Sequence, residues 1–248
     1  MDDKLDSLQD YINFAIHAPG GALIGIIVTS SASGKIPSLG LDYGAGKSTL
    51  LIDLLYDIYR DVEKVKQNMI YFPEEIFPIL DRQSRTWAIG WDDMQLTVGK
   101  HKWADMSVKE LAYMLTTQRP KVAILIGSTP HLGKLQKDFR EFFHFEVKIP
   151  YRGYYEVQQV KYWTPFNKPL SVKSRLDYKG ESPFPKIPKE LEEWYVEWRQ
   201  EKNKVYRTRL EKHWNKKKEA KLEPPPPLTE VSNAGRTLVL NRWRKPNT

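Results

Sequence analysis

Residues 41–59 read LDYGAGKSTLLIDLLYDIY, and this stretch decides the fold. Its first part is rich in glycine, whereas from Lys47 onward leucine and isoleucine recur at the three- and four-residue spacing of a helix. A glycine-rich loop that opens directly onto a helix presents backbone N–H groups at the positive end of the helix dipole. The stretch therefore predicts an anion-binding loop at the start of a helix.

The residue types of this loop suit a nucleoside triphosphate. We expect the phosphates to be bound by Gly44, Ala45, Gly46, Lys47, Ser48 and Thr49. The Lys47 ammonium group would reach the β- and γ-phosphates, and the Ser48 hydroxyl would hold Mg²⁺. Leu41 stands where the usual pattern has its first glycine, so the loop is either a variant or one residue longer than usual. The alternative interpretation is a glycine-rich turn that caps an ordinary helix. Upstream, Gly34-Lys35 has no Ser or Thr after the lysine and opens no helix.

Strand-like and helix-like segments alternate around the loop. We predict strands at 22–28, 36–41, 69–72, 86–91, 121–127, 145–149 and 155–163. We predict helices at 2–17, from 47, and at 73–83, 107–118, 131–143 and 188–221. Ser107 and Glu110 have the spacing of a capping box. This alternation predicts an α/β fold with a mostly parallel sheet and helices on both of its faces.

Polar residues follow two of the predicted strands. Asp92 and Asp93 directly follow the strand at 86–91. Asp92 would help Ser48 to hold Mg²⁺, and Asp93 would polarise the attacking water, a role that glutamate fills more often. Ser128 and Thr129 follow the strand at 121–127, where a hydroxyl group would sense the γ-phosphate or orient water. The alternatives are a turn for the acidic pair and a helix cap for the hydroxyl pair.

These motifs resemble those of P-loop ATPases of the additional-strand class, and within it the AAA+ family. GAGKST at 44–49 looks like Walker A, AIGWDD at 88–93 like Walker B, and GSTP at 127–130 like sensor 1. Residues 71–93 are similar to the corresponding stretch of DnaC/IstB-type helicase loaders and DnaA-like initiators. The resemblance covers roughly residues 20–160. It implies a sheet of order 5-1-4-3-2, with ATP and Mg²⁺ as ligands and ATP hydrolysis as the activity.

The resemblance also implies an arginine finger. KDFREFFHFEVKIP at 137–150 looks like the helix and last core strand that carry it, which places the finger at Arg140, acting in trans within a homo-oligomer. The alternative is a surface arginine paired with Asp138 or Glu141, and Arg82 and Arg85 are spare candidates. Residues 151–248 lack the pattern of the compact helical lid of AAA+ proteins. Small ATPases of this kind occur in archaeal viruses and plasmids.

Charge divides the chain. Lys and Arg number 39 against 31 Asp and Glu, but residues 1–150 carry a net charge of −2 and the rest +10. Such asymmetry favours contact with a polyanion, usually nucleic acid. We divide the chain into an N-terminal helix (1–21), a P-loop ATPase core (22–150), an aromatic and basic connecting region (151–187), a long basic helix (188–222) and a Pro-rich spacer with a basic tail (223–248).

The long basic helix is the candidate DNA-binding element. The residues that we expect to contact DNA phosphates are Arg199, Lys202, Arg207, Arg209, Lys212, Lys216 and Lys217. Tryptophans interleave with them and could stack on unpaired bases. The alternative is a solvated helix whose Leu191, Trp194, Trp198 and Val205 form a buried stripe.

Composition excludes several classes of protein. The chain has no cysteine, which removes disulfide scaffolds and thiolate zinc sites. The longest apolar run, ALIGIIV at 22–28, is far shorter than the roughly 20 residues of a membrane-spanning helix. We therefore expect no membrane partner and a cytoplasmic location, in the host if the protein is viral.

The sequence as a whole predicts a DNA-associated ATPase in replication initiation or helicase loading, with a replicative helicase or initiator protein as partner. One alternative is a DNA translocase of the FtsK/HerA kind that packages genomes. Another is a nucleotide-gated DNA-binding module without significant turnover. A small-molecule kinase shares the loop, but we would then expect an arginine-rich lid and no basic tail.

Overall fold

The computed structural model describes residues 7–18, 21–30, 46–99, 106–117, 120–151, 154–163, 170–176 and 187–222. Within them the strands β1 to β7 are Ile24–Ser30, Met69–Ile70, Thr86–Trp91, Val122–Ser128, Phe143–Tyr151, Tyr154–Trp163 and Leu170–Leu176. The helices α1 to α8 are Leu8–His17, Lys47–Tyr59, Val62–Gln67, Phe77–Leu80, Gln95–Val98, Met106–Thr117, Lys137–Arg140 and Lys189–Leu222. Two 3₁₀ turns lie at Pro73–Ile76 and Leu132–Lys134.

The strands form one sheet in the order β2-β3-β4-β1-β5-β6-β7. The pairings from β2 through β5 are parallel, and β6 and β7 add to the β5 edge antiparallel. The predicted α/β class and the predicted order 5-1-4-3-2 are therefore confirmed for the first five strands. In this order β4 lies between β1 and β3, so the carboxyl ends of these three strands meet at one edge of the sheet.

Burial explains why the central strands are apolar up to their carboxyl ends. Every residue of β1 and of β4 is buried, as expected for parallel strands that are covered on both faces. Helix α2 packs on the sheet through Leu50, Leu51, Leu54, Leu55 and Ile58. A Cβ atom on Gly90 of β3 would lie 2.5 Å from Leu55 Cδ1, so a larger residue here would force the Leu55 side chain to shift.

Two predicted helices are shorter than expected. In 73–83 a 3₁₀ turn leads into the single turn of α4, because Pro78 has no N–H group with which to continue the helical hydrogen bonds. In 131–143 only a 3₁₀ turn and α7 form, and Phe143 belongs to β5. The fully buried Phe143, Phe145 and Val147 alternate along β5, which is the pattern of a strand.

The capping-box prediction for Ser107 is wrong, since α6 begins at Met106 and Ser107 lies inside its first turn. A capping box does form at α1, where Ser7 caps the helix and the Asp10 carboxylate accepts from the Ser7 N–H group. The predicted strand at 36–41, the first residues of the predicted N-terminal helix and the tail at 223–248 lie outside the described residues.

The sheet continues beyond residue 150. β6 matches the predicted strand at 155–163, whereas β7 was not predicted, and both lie in the region expected only to connect the core to the basic helix. Without β6, β5 would be an edge strand with unpaired backbone groups. β6 pairs with these groups, with Phe145 opposite Gln159 and Val147 opposite Val157.

The chain divides into two compact units, Met1–Val196 and Glu197–Thr248. The first unit holds the sheet and the opening residues of α8, 189–196, and the second holds the remainder of α8. Among the described residues, no helix combines the length and the apolar character needed to cross a bilayer.

Candidate functional site

Helix α2 starts in the geometry that an anion-binding loop requires. Gly46 precedes it with φ 90°, a left-handed conformation that favours glycine, and its carbonyl accepts the first helical hydrogen bond from Leu50 N–H at 2.9 Å. Lys47, Ser48 and Thr49 form the first turn and are half-buried. The early N–H groups of a helix point outward along its axis, so this turn can bind phosphate oxygens. Gly44 and Ala45 lie outside the described residues.

The Lys47 side chain reaches the end of β1. Its Nζ donates to Ser30 Oγ at 3.3 Å, and Ser30 is buried at the last position of the strand. Ser30 itself is fixed because its N–H donates to the Pro130 carbonyl at 3.3 Å. The ammonium group therefore lies at the carboxyl edge of the sheet, beside the start of α2. Ser30 was not predicted as a site residue, although its place directly after the apolar run of β1 was a usable signal.

Asp92 forms the centre of the site. Its side chain is fully buried, and its Oδ1 accepts from Ser48 Oγ at 2.9 Å and from Ser128 Oγ at 2.6 Å. Its Oδ2 accepts from the Tyr195 hydroxyl at 2.5 Å. The structure thus brings together the loop, the acidic strand end and the hydroxyl-bearing strand end that the sequence marked separately. Tyr195, at the opening of α8, was not predicted.

Asp93 occupies a constrained position next to this carboxylate. Its φ of 48° lies in the left-handed region, which aspartate tolerates better than most residues. Its N–H donates to Ser128 Oγ at 2.9 Å, and its Oδ1 accepts from Gln95 Nε2 at 3.3 Å. Ser128 therefore connects the two acids, since its hydroxyl accepts from the Asp93 backbone and donates to Asp92. Backbone held in this way is common at functional sites.

The two residues of the predicted hydroxyl pair differ. Ser128 joins the acidic pair, whereas Thr129, also fully buried, donates from Oγ1 to the His131 carbonyl at 3.4 Å. The Thr129 backbone N–H bonds the Val28 carbonyl at 3.0 Å and so helps to hold the end of β4 beside β1. Geometry therefore favours Ser128 as the residue that acts in the site, with Thr129 supporting the strand end.

Arg140 lies at a different edge of the sheet. It ends α7 just before β5, so it stands near the amino end of β5, while Asp92 stands at the carboxyl end of a parallel strand. Its Nε is buried and has no hydrogen-bond partner among the described residues. The structure does not bring Arg140 to its own chain's Asp92, and its role in trans remains a prediction.

The spare arginines are held by the chain itself. Arg82 donates to Asn68 Oδ1 at 2.7 Å and to the Gln67 carbonyl at 3.0 Å. Arg85 donates to the carbonyls of Ile16 at 3.2 Å and Ala22 at 2.8 Å, and so joins α1 to the approach of β1. These bonds give both side chains a structural role.

The donor set fits a nucleotide with Mg²⁺. The Ser48 hydroxyl and the Asp92 carboxylate are in hydrogen-bond contact. Both are hard oxygen ligands of the kind that Mg²⁺ prefers, and proteins usually bind Mg²⁺ through one or two carboxylates together with substrate phosphates. Lys47 and the first turn of α2 supply positive charge on the side where phosphates would lie. The residues present therefore suit the pair of ligands that the sequence predicted.

The basic helix forms the other candidate site. Arg207, Arg209 and Lys212 are exposed, and Arg199 and Lys202 are half-buried. The side chains of Lys216 and Lys217 lie outside the described part of the structure. Lys202 Nζ stands 5.7 Å from the centre of the Trp198 ring, a cation–π contact one helical turn apart. The alternative of a buried stripe fails at Val205, which is 37% exposed.

Three features together define the P-loop NTPase fold. They are a parallel sheet of order 5-1-4-3-2, a Gly-Lys-Ser-Thr turn that opens the helix after β1, and an acid at the end of β3. Neither the family models nor the curated proteins include a match to this chain. One similar solved structure is the N-terminal domain of zonular occludens toxin from Neisseria meningitidis, at 13% identity and a TM-score of 0.38, covering 64% of this chain and 96% of that one.

A second similar structure is the cytoplasmic domain of the Thermomonospora curvata type VII secretion ATPase EccC, at 14% identity and a TM-score of 0.22. The match covers 65% of this chain and 23% of that one. Both similarities are too low to transfer a residue or an activity to this chain.

Proposed function

We propose that this protein is a Mg²⁺-dependent ATPase that works on DNA. The observation that carries the ATPase assignment is the contact of Ser48 and Ser128 with the same oxygen of the buried Asp92, beside Lys47 at the start of α2. These groups come from three elements, since Lys47 and Ser48 open α2, Asp92 follows β3 and Ser128 ends β4, and a merely structural turn would not require them to converge.

Each residue has a role that follows from its place. Lys47 and the N–H groups of α2 would bind the phosphates, and Ser48 with Asp92 would hold Mg²⁺, which when bound neutralises charge on the β- and γ-phosphates. The Asp93 carboxylate would orient the attacking water and accept its proton. Ser128 would keep the two acids at a fixed separation.

Nucleotide binding is the direct test. Lys47→Ala should weaken binding of ATP by about 10- to 150-fold, because a hydrogen bond to a charged group contributes roughly 1.5–3 kcal/mol. Lys35→Ala is the matched control, since Lys35 also follows a glycine but belongs to no predicted phosphate loop. Calorimetric titration of both variants with a non-hydrolysable ATP analogue measures the effect. Equal affinity in the Lys47 variant and the wild type would overturn the proposal.

The DNA part of the proposal rests on the second unit. Exposed Arg207, Arg209 and Lys212 can neutralise phosphates, and exposed Trp214 can stack on an unpaired base. Turnover that rises on addition of DNA would support it. Turnover that is indifferent to single- and double-stranded DNA alike would leave only an ATPase.

The resemblance to helicase loaders and initiators supports a role in replication initiation, with a helicase or initiator as partner.

The FtsK/HerA-like translocase is favoured by a different observation. β6 and β7 extend the sheet in a segment where an AAA+ protein would begin its helical lid. Directional movement on naked DNA, measured by displacement of a labelled third strand, would select the translocase. Turnover that needs a bound helicase would select the loader. Binding of ATP without turnover under any condition would select the nucleotide-gated module.

A further inference from the structure

Tyr195 approaches the site from a part of the chain that no nucleotide-binding motif covers. It is separated by 103 residues from Asp92, whose Oδ2 accepts its hydroxyl at 2.5 Å. The other two donors to this carboxylate, Ser48 and Ser128, both bond Oδ1. The tyrosine is therefore the one hydroxyl among the described residues that holds the second oxygen of the acid.

The opening of α8 is anchored on the first unit at further points. Leu191 is fully buried, and it lies one helical turn before Tyr195, so the two residues share a face of the helix. Glu190 Oε1 lies 2.8 Å from Lys66 Nζ, and this lysine also pairs with Glu63 at 2.8 Å. The packing of Leu191 is the main anchor of Tyr195, and the ion pair to α3 adds a weaker one because the Glu190 side chain is 64% exposed. Both act independently of the contact between Tyr195 and Asp92.

A buried carboxylate needs donors to replace the water that it has lost, and the direction of those donors sets how the carboxylate is turned. With Oδ1 held by the two serines and Oδ2 by the tyrosine, the plane of the Asp92 carboxylate is fixed from both ends. If the tyrosine hydroxyl is removed, Oδ2 loses its donor and the carboxylate can rotate about its side-chain torsions. The oxygen that faces Ser48 would then be less well placed to hold a cation.

We propose that Tyr195 is a positioning residue for the Mg²⁺ ligand Asp92, so that the docked opening of α8 is a working part of the nucleotide site. This inference rests on the proposed function. It predicts a specific defect, since loss of the hydroxyl should weaken the use of Mg²⁺ and leave Mg²⁺-independent contacts with the nucleotide unchanged.

The test is a titration of nucleotide affinity against free Mg²⁺, with a fluorescent non-hydrolysable ATP analogue. Tyr195→Phe should raise the Mg²⁺ concentration at half-effect by about ten-fold, which corresponds to the loss of one charge-assisted hydrogen bond. Affinity measured in excess chelator should match the wild type. A Mg²⁺ titration that overlays the wild type, or that shifts to lower Mg²⁺, overturns the proposal.

Tyr59→Phe is the matched control. Its hydroxyl donates to the Ala88 carbonyl at 2.7 Å and accepts from the Ala88 N–H, so it is bonded to β3, the strand that leads into Asp92. This variant should lower the melting temperature and leave the Mg²⁺ titration unchanged. A shift of equal size in both variants would mean that any lost hydroxyl loosens the strand, and it would overturn a positioning role.

Lys66→Ala provides a second variant in case Tyr195→Phe does not fold. It removes the ion pair of Glu190 and leaves the tyrosine in place, so it should shift the Mg²⁺ titration in the same direction by a smaller factor. An unchanged titration would count against the docked helix as the source of the effect. If the wild type and Lys47→Ala bind the analogue alike, the proposed function fails. If only the tyrosine effect is absent, the positioning role alone fails.

Discussion

The candidate nucleotide site and the basic helix carry their polar groups in opposite ways. At the site, Asp92 and Ser128 are fully buried and hydrogen-bonded to each other. In the second unit, Arg207 and Lys212 are exposed, and Trp214, a residue type that is usually buried, is 63% exposed. The first arrangement is complete within the chain, whereas the second presents charge and aromatic surface to its surroundings.

This difference sets how large an effect a substitution should have in each region. A buried acid with three donors is costly to disturb, so substitutions at the site should have large effects on the reaction even when they are conservative. An exposed basic side chain contributes one weak contact among several, so substitutions in the helix should have small and additive effects. The expected effects on the reaction therefore decrease from the site to the helix, and a half-buried hydroxyl that serves stability should have no effect on the reaction.

The largest effect is expected at Asp92. Asp92→Asn should lower ATP turnover by about 100- to 1000-fold, because the neutral amide binds Mg²⁺ poorly and turns an N–H group toward hydroxyl donors. Phosphate release measured over a range of Mg²⁺ concentrations checks this. Asp81→Asn, an exposed acid at the end of α4, is the control and should behave as the wild type. Turnover that survives in the Asp92 variant would remove the main contrast between the two regions.

Asp93 should affect the rate and not the affinity. Asp93→Asn keeps the size of the side chain and tolerates the left-handed backbone at φ 48°, so it removes charge with little strain. We expect kcat to fall by about 100-fold, the usual contribution of a general base, with the dissociation constant of the ATP analogue unchanged. Rapid-quench turnover and equilibrium binding separate the two quantities. A variant that binds nucleotide as poorly as it turns over would make Asp93 a binding residue.

The serine and threonine at the end of β4 should differ. Ser128→Ala removes a donor to Asp92 and the acceptor of the Asp93 N–H, so we expect turnover to fall by about ten-fold. Thr129→Val removes only a 3.4 Å bond to a backbone carbonyl and should cost stability more than turnover. Steady-state kinetics and thermal melting of both variants decide between them. The reverse ranking would make Thr129 the functional residue of the pair.

The sequence predicted most of the site because its parts are local. The glycine-lysine turn, the acids after β3 and the hydroxyls at the end of β4 each follow an apolar run, and parallel strands bring such ends to one edge. Asp92, Asp93 and Ser128 could therefore be placed together from the order of the residues alone. The same logic fails for Tyr195, because its place depends on how Leu191 packs, far along the chain from the strand that carries Asp92.

The errors in the fold have two causes. The apolar residues of 139–147 fit a helix or a strand by spacing, and only pairing of β5 with β1 selects the strand. β7 gave a weak signal because polar and apolar residues alternate only over 170–173 of its sequence, LSVKSRL, and proline- and lysine-rich stretches flank it. The deciding partner of β5 is thus distant in sequence, whereas β7 pairs with its neighbour β6 and was missed because its own pattern is short.

In the helix, a pair of substitutions should change DNA affinity modestly. Arg207→Ala with Lys212→Ala should lower affinity at low salt by about three- to ten-fold and reduce the slope of log affinity against log salt by about 2, if both side chains contact phosphate. Lys134→Ala with Lys137→Ala removes the same charge from exposed positions on the first unit and serves as control. Fluorescence anisotropy at several salt concentrations measures the slopes. Equal slopes in both variants would mean that the helix has no special role.

The last prediction concerns a hydroxyl that, unlike those around Asp92, should affect stability and not the reaction. Burial raises the pKa of Tyr59 to about 12, against a lowering by its bond to Ala88. Above the unfolded pKa near 10 the unfolded chain loses this proton while the folded protein keeps it, so stability falls from pH 10 toward pH 12. Between pH 8 and pH 11 the free energy of unfolding of Tyr59→Phe should therefore fall by about 1–3 kcal/mol less than that of the wild type. Urea unfolding at the two pH values measures this difference. If Tyr59→Phe leaves the alkaline dependence of the free energy of unfolding unchanged, the fold does not hold the Tyr59 hydroxyl in its neutral form. The distinction between structural and functional hydroxyls would then rest on Tyr195 and Ser128 alone.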